Sequence, residues 1–326
     1  MELLTLIFLG QPAWMWLGFI GLVMALLAFD LGVLHRDGHE INVRESLLLS
    51  GFYIALGVTF GGFVWWQLGP QSGVEYLTGF VVEKSLAMDN VFVIAMIFGY
   101  FAIPRHLQHR VLFWGILGVI VLRAIMIGVG ATLVSEFGWL LYVFAAFLVF
   151  TGIKMLTGGH GETDLANNPV LSFMRRRFRV TDNLHGDRFF IRQADPKSGK
   201  LVRFMTPLFM ALVMIEIADV IFAVDSVPAI FAITTDPYIV YTSNIFAILG
   251  LRALYFALAA ILHRFAYLKQ ALAVLLVFIG SKIFVADLLG WEKFPAEWSL
   301  AITFIILATG ILYSVWRTAV PKPAES

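Results

Sequence analysis

The sequence predicts an all-α membrane protein of about nine transmembrane helices, with two inverted three-helix repeats formed by spans 3–5 and 6–8. Three observations lead there. The 326 residues are 60% hydrophobic and 14% charged, with mean hydropathy +0.86; a soluble domain is nearer half apolar and a quarter charged. Several apolar runs reach about 20 residues, enough to cross a hydrocarbon core of ~30 Å. Short patterns recur in the same order in two parts of the chain. A transmembrane barrel would alternate apolar and polar residues, and these runs do not.

Taken in order, the spans lie near 12–34, 47–68, 74–101, 111–134, 138–157, 204–234, 239–262, 270–290 and 297–317. Glu2, rather than a basic stretch, precedes the first, and no small-residue cleavage site follows it. It therefore reads as a retained span and not as a signal peptide. Polar stretches separate the spans, among them H-R-D-G-H-E at 35–40 and P-R-H-L-Q-H-R at 104–110. The chain reads as one integral membrane domain over 1–326, with repeat 1 at 74–157, a cytoplasmic loop at 158–203 and repeat 2 at 204–290. Within that loop, T-D-N-L-H-G-D-R-F-F-I-R-Q reads either as a small hairpin or as a segment without fixed structure.

Lys and Arg set the orientation, because cytoplasmic loops carry the excess. The loop 158–203 holds nine Lys/Arg against five Asp/Glu. If it is cytoplasmic, alternation also places Arg36, Arg44, Arg105, Arg110, Arg264, Lys269 and Lys322 inside. The opposite connections near 69–73, 135–137 and 235–238 hold no Lys or Arg; Lys293 is the exception. The expectation is N-terminus out and C-terminus in. The cluster Arg175, Arg176, Arg177 and Arg179 follows from the same rule, so neither it nor the net charge of +1 points to nucleic acid.

E-K-S-L-A-M-D-N-V at 83–91 matches D-V-I-F-A-V-D-S-V at 219–227 at an acid, Ala, Asp and Val. L-R-A recurs at 122–124 and 251–253, and L-V-F-x-G-x-K at 148–154 and 276–282. The order is kept, one match per helix. A unit of three helices is odd, so the copies lie oppositely in the membrane. Such repeats are a mark of secondary transporters, whose sites sit near mid-membrane at the repeat interface.

The matching segments carry the charges. Span 3 supplies Glu83, Asp89 and Asn90, and span 6 supplies Glu216, Asp219, Asp225 and Ser226. Charges inside a membrane cost at least a few kcal/mol each and mark function by default. Five carboxylates face Lys84, Arg123 and Arg252, an excess of two negative charges that a divalent cation or two protons would balance. The donors are oxygens, which suit Mg²⁺, Ca²⁺ or Mn²⁺ over Zn²⁺ or Cu⁺. Met88 and Met214 are soft donors that could favour Mn²⁺, but Met in a membrane helix is usually packing. Pro228 cannot donate to the carbonyl of Val224, which frees an oxygen beside Asp225.

Helical geometry ranks these residues. Glu83 and Asn90 share a face, as do Asp219 and Ser226. Glu83 and Asp89, six apart, differ by ~120°. Glu216 shares a face with Asp219 but points away from Asp225, so it ranks lower. Arg123 and Arg252 read first as interhelical ion pairs that fix register, and Lys154 as a snorkelling cation. Asn244 in T-S-N-I-F reads equally as ligand or as helix glue, and Asp30 as interfacial.

F-V-V-E-K-S-L-A-M-D-N-V-F-V, D-V-I-F-A-V-D-S-V-P-A-I-F-A-I-T-T-D-P and S-N-I-F-A-I-L-G-L-R-A-L-Y-F resemble the TerC/Alx family of bacterial integral membrane proteins, from about Asp30 to Asp287. The resemblance implies Mn²⁺ export across the inner membrane, with the family's acidic motif residues on Glu83, Asp89, Asn90, Asp219, Asp225 and Ser226. It also brings the family's association with tellurium resistance and the label of membrane-bound redox modulator, which stand as the alternative without direct metal transport. On the exporter reading Asp89 and Asp225, one from each repeat, hold the ion with Asn90, Ser226 and the freed carbonyl. Glu83 or Asp219 completes the site or carries a counter-transported proton. Mn²⁺ is then substrate, no cofactor is bound permanently, and the protein is not an enzyme.

The residues weigh against redox chemistry. There is no cysteine, which removes disulfides, thiol exchange and iron–sulfur clusters. All seven His (35, 39, 106, 109, 160, 185 and 263) lie in loops or at span ends, leaving no facing pair for a membrane haem. An intramembrane aspartyl protease would need two Asp on two helices, but no glycine-flanked Asp motif is present and three further acids would be idle.

Overall fold

The computed structural model describes residues 6–34, 43–157, 169–194, 201–259, 267–291 and 293–319. The apolar runs form helices because hydrocarbon leaves backbone groups no partner except each other. They are α1 (Ala13–Leu34), α2 (Val43–Leu68), α3 (Pro70–Tyr100), α4 (Arg105–Glu136), α5 (Leu140–Thr157), α6 (Pro169–Arg177), α7 (Pro207–Phe231), α8 (Pro237–Ile248), α9 (Leu251–Ala259), α10 (Leu268–Leu288) and α11 (Ala296–Ala319). Two antiparallel hairpins complete the list: β1 (Ile7–Phe8) with β2 (Gln11–Pro12), and β3 (Phe190–Ala194) with β4 (Leu201–Met205). Among the described residues, 8 helical stretches are long and apolar enough to cross a membrane, with α8 and α9 forming one of them. The helix α3, with 31 residues, has the length of a span but carries Glu75, Glu83, Lys84 and Asp89, which keep it off that count.

The long loop is more structured than the sequence suggests. The hairpin strand β3 begins only at Phe190, near the end of the expected segment, and its partner β4 follows it. The short helix α6, with Leu171 and Met174 buried and Arg175, Arg176 and Arg177 in its last turn, was not anticipated. Residues 158–168 and 195–200 of that loop lie outside the described residues.

Proline and glycine set the turns. Pro70, Pro207 and Pro237 stand in the first turns of α3, α7 and α8, where a missing N–H costs nothing. The helix α8 is further capped by Asp236, whose carboxylate accepts from the N–H groups of Tyr238 and Ile239. Pro228 lies inside α7, which nonetheless continues to Phe231.

The seventh expected span is broken. Leu249 is extended (φ −55°, ψ 132°) and Gly250 is left-handed (φ +79°), which separates α8 from α9. Non-glycine residues pay about 1–2 kcal/mol for the left-handed region, and a Cβ at Gly250 would also stand 2.7 Å from the Tyr53 side chain. Gly250→Ala should therefore lower the thermal midpoint of the purified protein. A midpoint equal to the parent's would show that the break is not built on Gly250.

The packing has a pairwise pattern. The helix α5 packs on α10, α3 on α7 and α8, and α4 on α7; α2 covers α3 and α9, and α11 covers α10 and α3. Exchanging α3 with α7, α4 with α8–α9 and α5 with α10 turns the α3–α8 contact into α7–α4. It turns α5–α7 into α10–α3 and leaves α5–α10 and α3–α7 as they are. The α5–α10 seam keeps this exchange at atomic detail. A Cβ on Gly152 would meet the Ala273 carbonyl oxygen and Val277, whereas one on Gly280 would meet the Ala145 carbonyl oxygen and Val149. In the two L-V-F-x-G-x-K copies these are equivalent positions. Small residues let helices approach this closely where lipid gives no hydrophobic drive.

Candidate functional site: a guanidinium held by acids of two helices

Arg123 of α4 is 1% exposed and lies where α3, α4, α7 and α8 meet. Its Nε donates to Asp219 Oδ2 (3.2 Å) and its Nη2 to Asp219 Oδ1 (2.9 Å), a two-bond fork. Its Nη1 donates to Glu83 Oε1, to Ser226 Oγ (3.0 Å) and to Asn244 Oδ1 (3.5 Å). Asn90 donates to Asp219 Oδ1 (3.4 Å). Glu83, Asn90, Asp219, Ser226 and Asn244 are all buried. Helical spacing explains the set: Glu83 with Asn90, and Asp219 with Ser226, are seven apart and so face the same way.

The centre therefore holds two carboxylates, one guanidinium, two amides and a hydroxyl, one negative charge in excess. Beside Asn90 and Asp219 lies a void of about 20 Å³, walled by Ile94, Leu112, Ile116 and Leu251. That is about the space one water needs, and its walls are apolar.

The other expected residues go elsewhere. Asp225 does not join Arg123; it is partly buried and is hydrogen-bonded to Thr151 of α5, with Lys154 nearby. Glu216 lies against Gly118 of α4, where a Cβ would strike its carboxylate, and its Oε2 has no hydrogen-bond partner among the described residues. Lys84 Nζ donates to the carbonyls of Ala247 (3.0 Å) and Leu249 (3.3 Å) and so serves the broken end of α8. Arg252 leaves the centre altogether. Its Nη2 meets the Asp30 carboxylate at 2.7 Å and the Asp30 carbonyl at 2.9 Å. The backbone of Asp89 lies in α3, and its side chain lies outside the described residues. Among the described residues, no three His, Asp or Glu side chains are gathered around one point that could hold a metal.

The sequence missed two things. One is the break at Leu249–Gly250, which Lys84 serves. The other is Glu75, buried near the start of α3. A glycine after an apolar run, directly before L-R-A, was the available signal for the break.

These features define a polytopic helical membrane protein with a buried ion network where α3, α4, α7 and α8 meet. The chain matches the integral membrane protein TerC family over residues 68–322, from the end of α2 through α11, and it belongs to that family. It is 47% identical over 302 residues to an uncharacterized membrane protein of Rickettsia bellii, covering 93% of this chain and 97% of that one. It is 44% identical to the uncharacterized membrane protein STKORF319 of Myxococcus xanthus over 309 residues, covering 95% and 94%. It is 45% identical over 316 residues to a putative membrane-bound redox modulator, Alx, of Escherichia coli, covering 94% and 95%. No solved structure matches the chain.

Proposed function

We propose that the protein exports a divalent cation, Mn²⁺, across the bacterial inner membrane, with its N-terminus out and its C-terminus in. The observation that carries this is the buried cluster of carboxylate, amide and hydroxyl groups that α3, α7 and α8 gather around Arg123. Hard cations select such donors, and Mn²⁺ accepts them. In this state the guanidinium occupies the place of the cargo. An arriving cation takes Glu83 and Asp219 from Arg123, with Asn90, Ser226 and Asn244 completing its shell. Asp89 and Asp225 extend the route one to two turns along α3 and α7.

Alternating access follows from rocking one repeat against the other. The exchange pattern of helix contacts and the matched Gly152 and Gly280 support two equivalent halves, 74–157 and 204–290, within one membrane domain. The excess negative charge admits a counter-transported proton. The protein acts as a transporter rather than an enzyme. A redox role, as the Alx name has it, finds no thiol in this chain to carry it.

Cells that depend on this protein for manganese tolerance should lose tolerance with Asp219→Ala and keep it with Gly99→Ala, where a Cβ meets nothing within 4 Å. Tolerance that survives Asp219→Ala, at equal protein level, refutes the central role of that carboxylate.

A further inference from the structure

At the end of the bundle where α2 turns into α3 and α10 into α11, the structure has a second polar site, which plays no part in the proposed cation route. A cavity of about 210 Å³ opens there between α3, α7, α10 and α11. Lys282 projects into it from α10 while being 6% exposed. Its ammonium has three N–H donors and makes one hydrogen bond to a described residue, to Ser299 Oγ at 3.1 Å. Its counterpart in repeat 1, Lys154, is exposed.

The carboxylates on the wall do not form an ion pair with it. Glu75 accepts from Gln71 (3.1 Å) and stands 4.0 Å from Lys293. Asp287 accepts from Tyr142 (3.4 Å). Both carboxylates keep further acceptor capacity, and beside them the described lining groups leave several donors unused. Two N–H groups of Lys282 are left, and the Ser299 hydroxyl, which accepts from Lys282, still has its proton to give. Thr234 Oγ1 accepts from the Asp236 N–H and keeps its proton as well. Trp291, also on the wall, carries an indole N–H, which only donates. Buried charge is stable when paired and hydrogen-bonded, and a lysine is a compact point charge well suited to oxyanions.

We propose that this cavity is a binding site for a small oxyanion, of carboxylate or phosphate type, held by Lys282 with Ser299 and Thr234 as neutral donors. The site stands on this geometry whether or not the chain exports a cation. On the orientation expected from the loop charges, it opens on the outer face.

Trp291 supplies the probe. The full chain, purified into nanodiscs of phosphatidylcholine, is titrated with inorganic phosphate and with acetate at constant ionic strength while tryptophan fluorescence is followed. A saturable change that disappears in Trp291→Phe is expected. Lys282→Met should weaken it about tenfold or more, as loss of a charge-assisted bond implies, and Lys282→Arg should largely keep it. If Lys282→Met fails to fold, Ser299→Ala serves as the second variant and should weaken binding less. A change that needs phosphatidylglycerol in the nanodisc assigns the oxyanion to a lipid headgroup. An unaltered response in Lys282→Met, no response to any anion in either lipid, or a response to Ca²⁺ instead overturns the proposal.

Discussion

Arg123→Met should strip the centre of its only guanidinium and leave Glu83 and Asp219 buried without a counter-charge. Removing one partner of a buried pair costs about 3–5 kcal/mol, so the variant should accumulate poorly and melt far below the parent in detergent. Two further results distinguish a cation site from mere structural pairing. Mn²⁺ should raise the midpoint of Arg123→Met more than that of the parent, because the ion takes the place of the guanidinium without having to displace it. Adding Glu83→Gln and Asp219→Asn to Arg123→Met should restore much of the lost stability and abolish the Mn²⁺ effect. A Mn²⁺ response equal in all three proteins would deny the exchange of guanidinium for metal.

The second large effect lies on the α5–α10 seam. A Cβ at Gly152 would stand 2.6 Å from the Ala273 carbonyl oxygen and 3.0 Å from the Val277 nitrogen. One at Gly280 would stand 2.5 Å from the Ala145 carbonyl oxygen. Backbone atoms cannot rotate aside as side chains do, so the helices themselves must separate. Overpacking typically costs about 1–3 kcal/mol, and Gly152→Val or Gly280→Val should reach the upper end or exceed it. Because the two contacts are equivalents, the two variants should be similarly damaged, which melting curves can compare directly. A mild effect at one site and a severe one at the other would show that the seam is not a two-fold contact.

The apolar helical runs and the charged segments of α3 and α7 were legible because membrane length and the cost of buried charge leave few alternatives. Helical arithmetic also separated true partners from neighbours. Asp219 and Ser226 are seven apart and both reach Arg123, whereas Asp225, six from Asp219, is turned by ~120° and reaches Thr151 of α5 instead. The same six-residue rotation that separates Glu83 from Asp89 on α3 turns Asp225 away from Asp219 on α7, against the expectation that it stands at the centre. Tertiary partners were not legible. A single chain does not say that Arg252 would pair with Asp30 of α1 rather than with the central acids, nor that Lys84 would turn to the carbonyls of Ala247 and Leu249. The second choice depends on the break at Gly250, which the sequence signals only by a glycine after an apolar run, directly before L-R-A.

The most direct test of the exporter reading is metal uptake into inverted membrane vesicles. Mn²⁺, Mg²⁺, Ca²⁺ and Zn²⁺ are compared for the parent and for Asp219→Ala, at matched levels of inserted protein. Inverting the membrane turns export into uptake. The account predicts accumulation of Mn²⁺ by the parent and its loss in Asp219→Ala. No accumulation of any metal by the parent would contradict it and return the Arg123 network to a purely structural role.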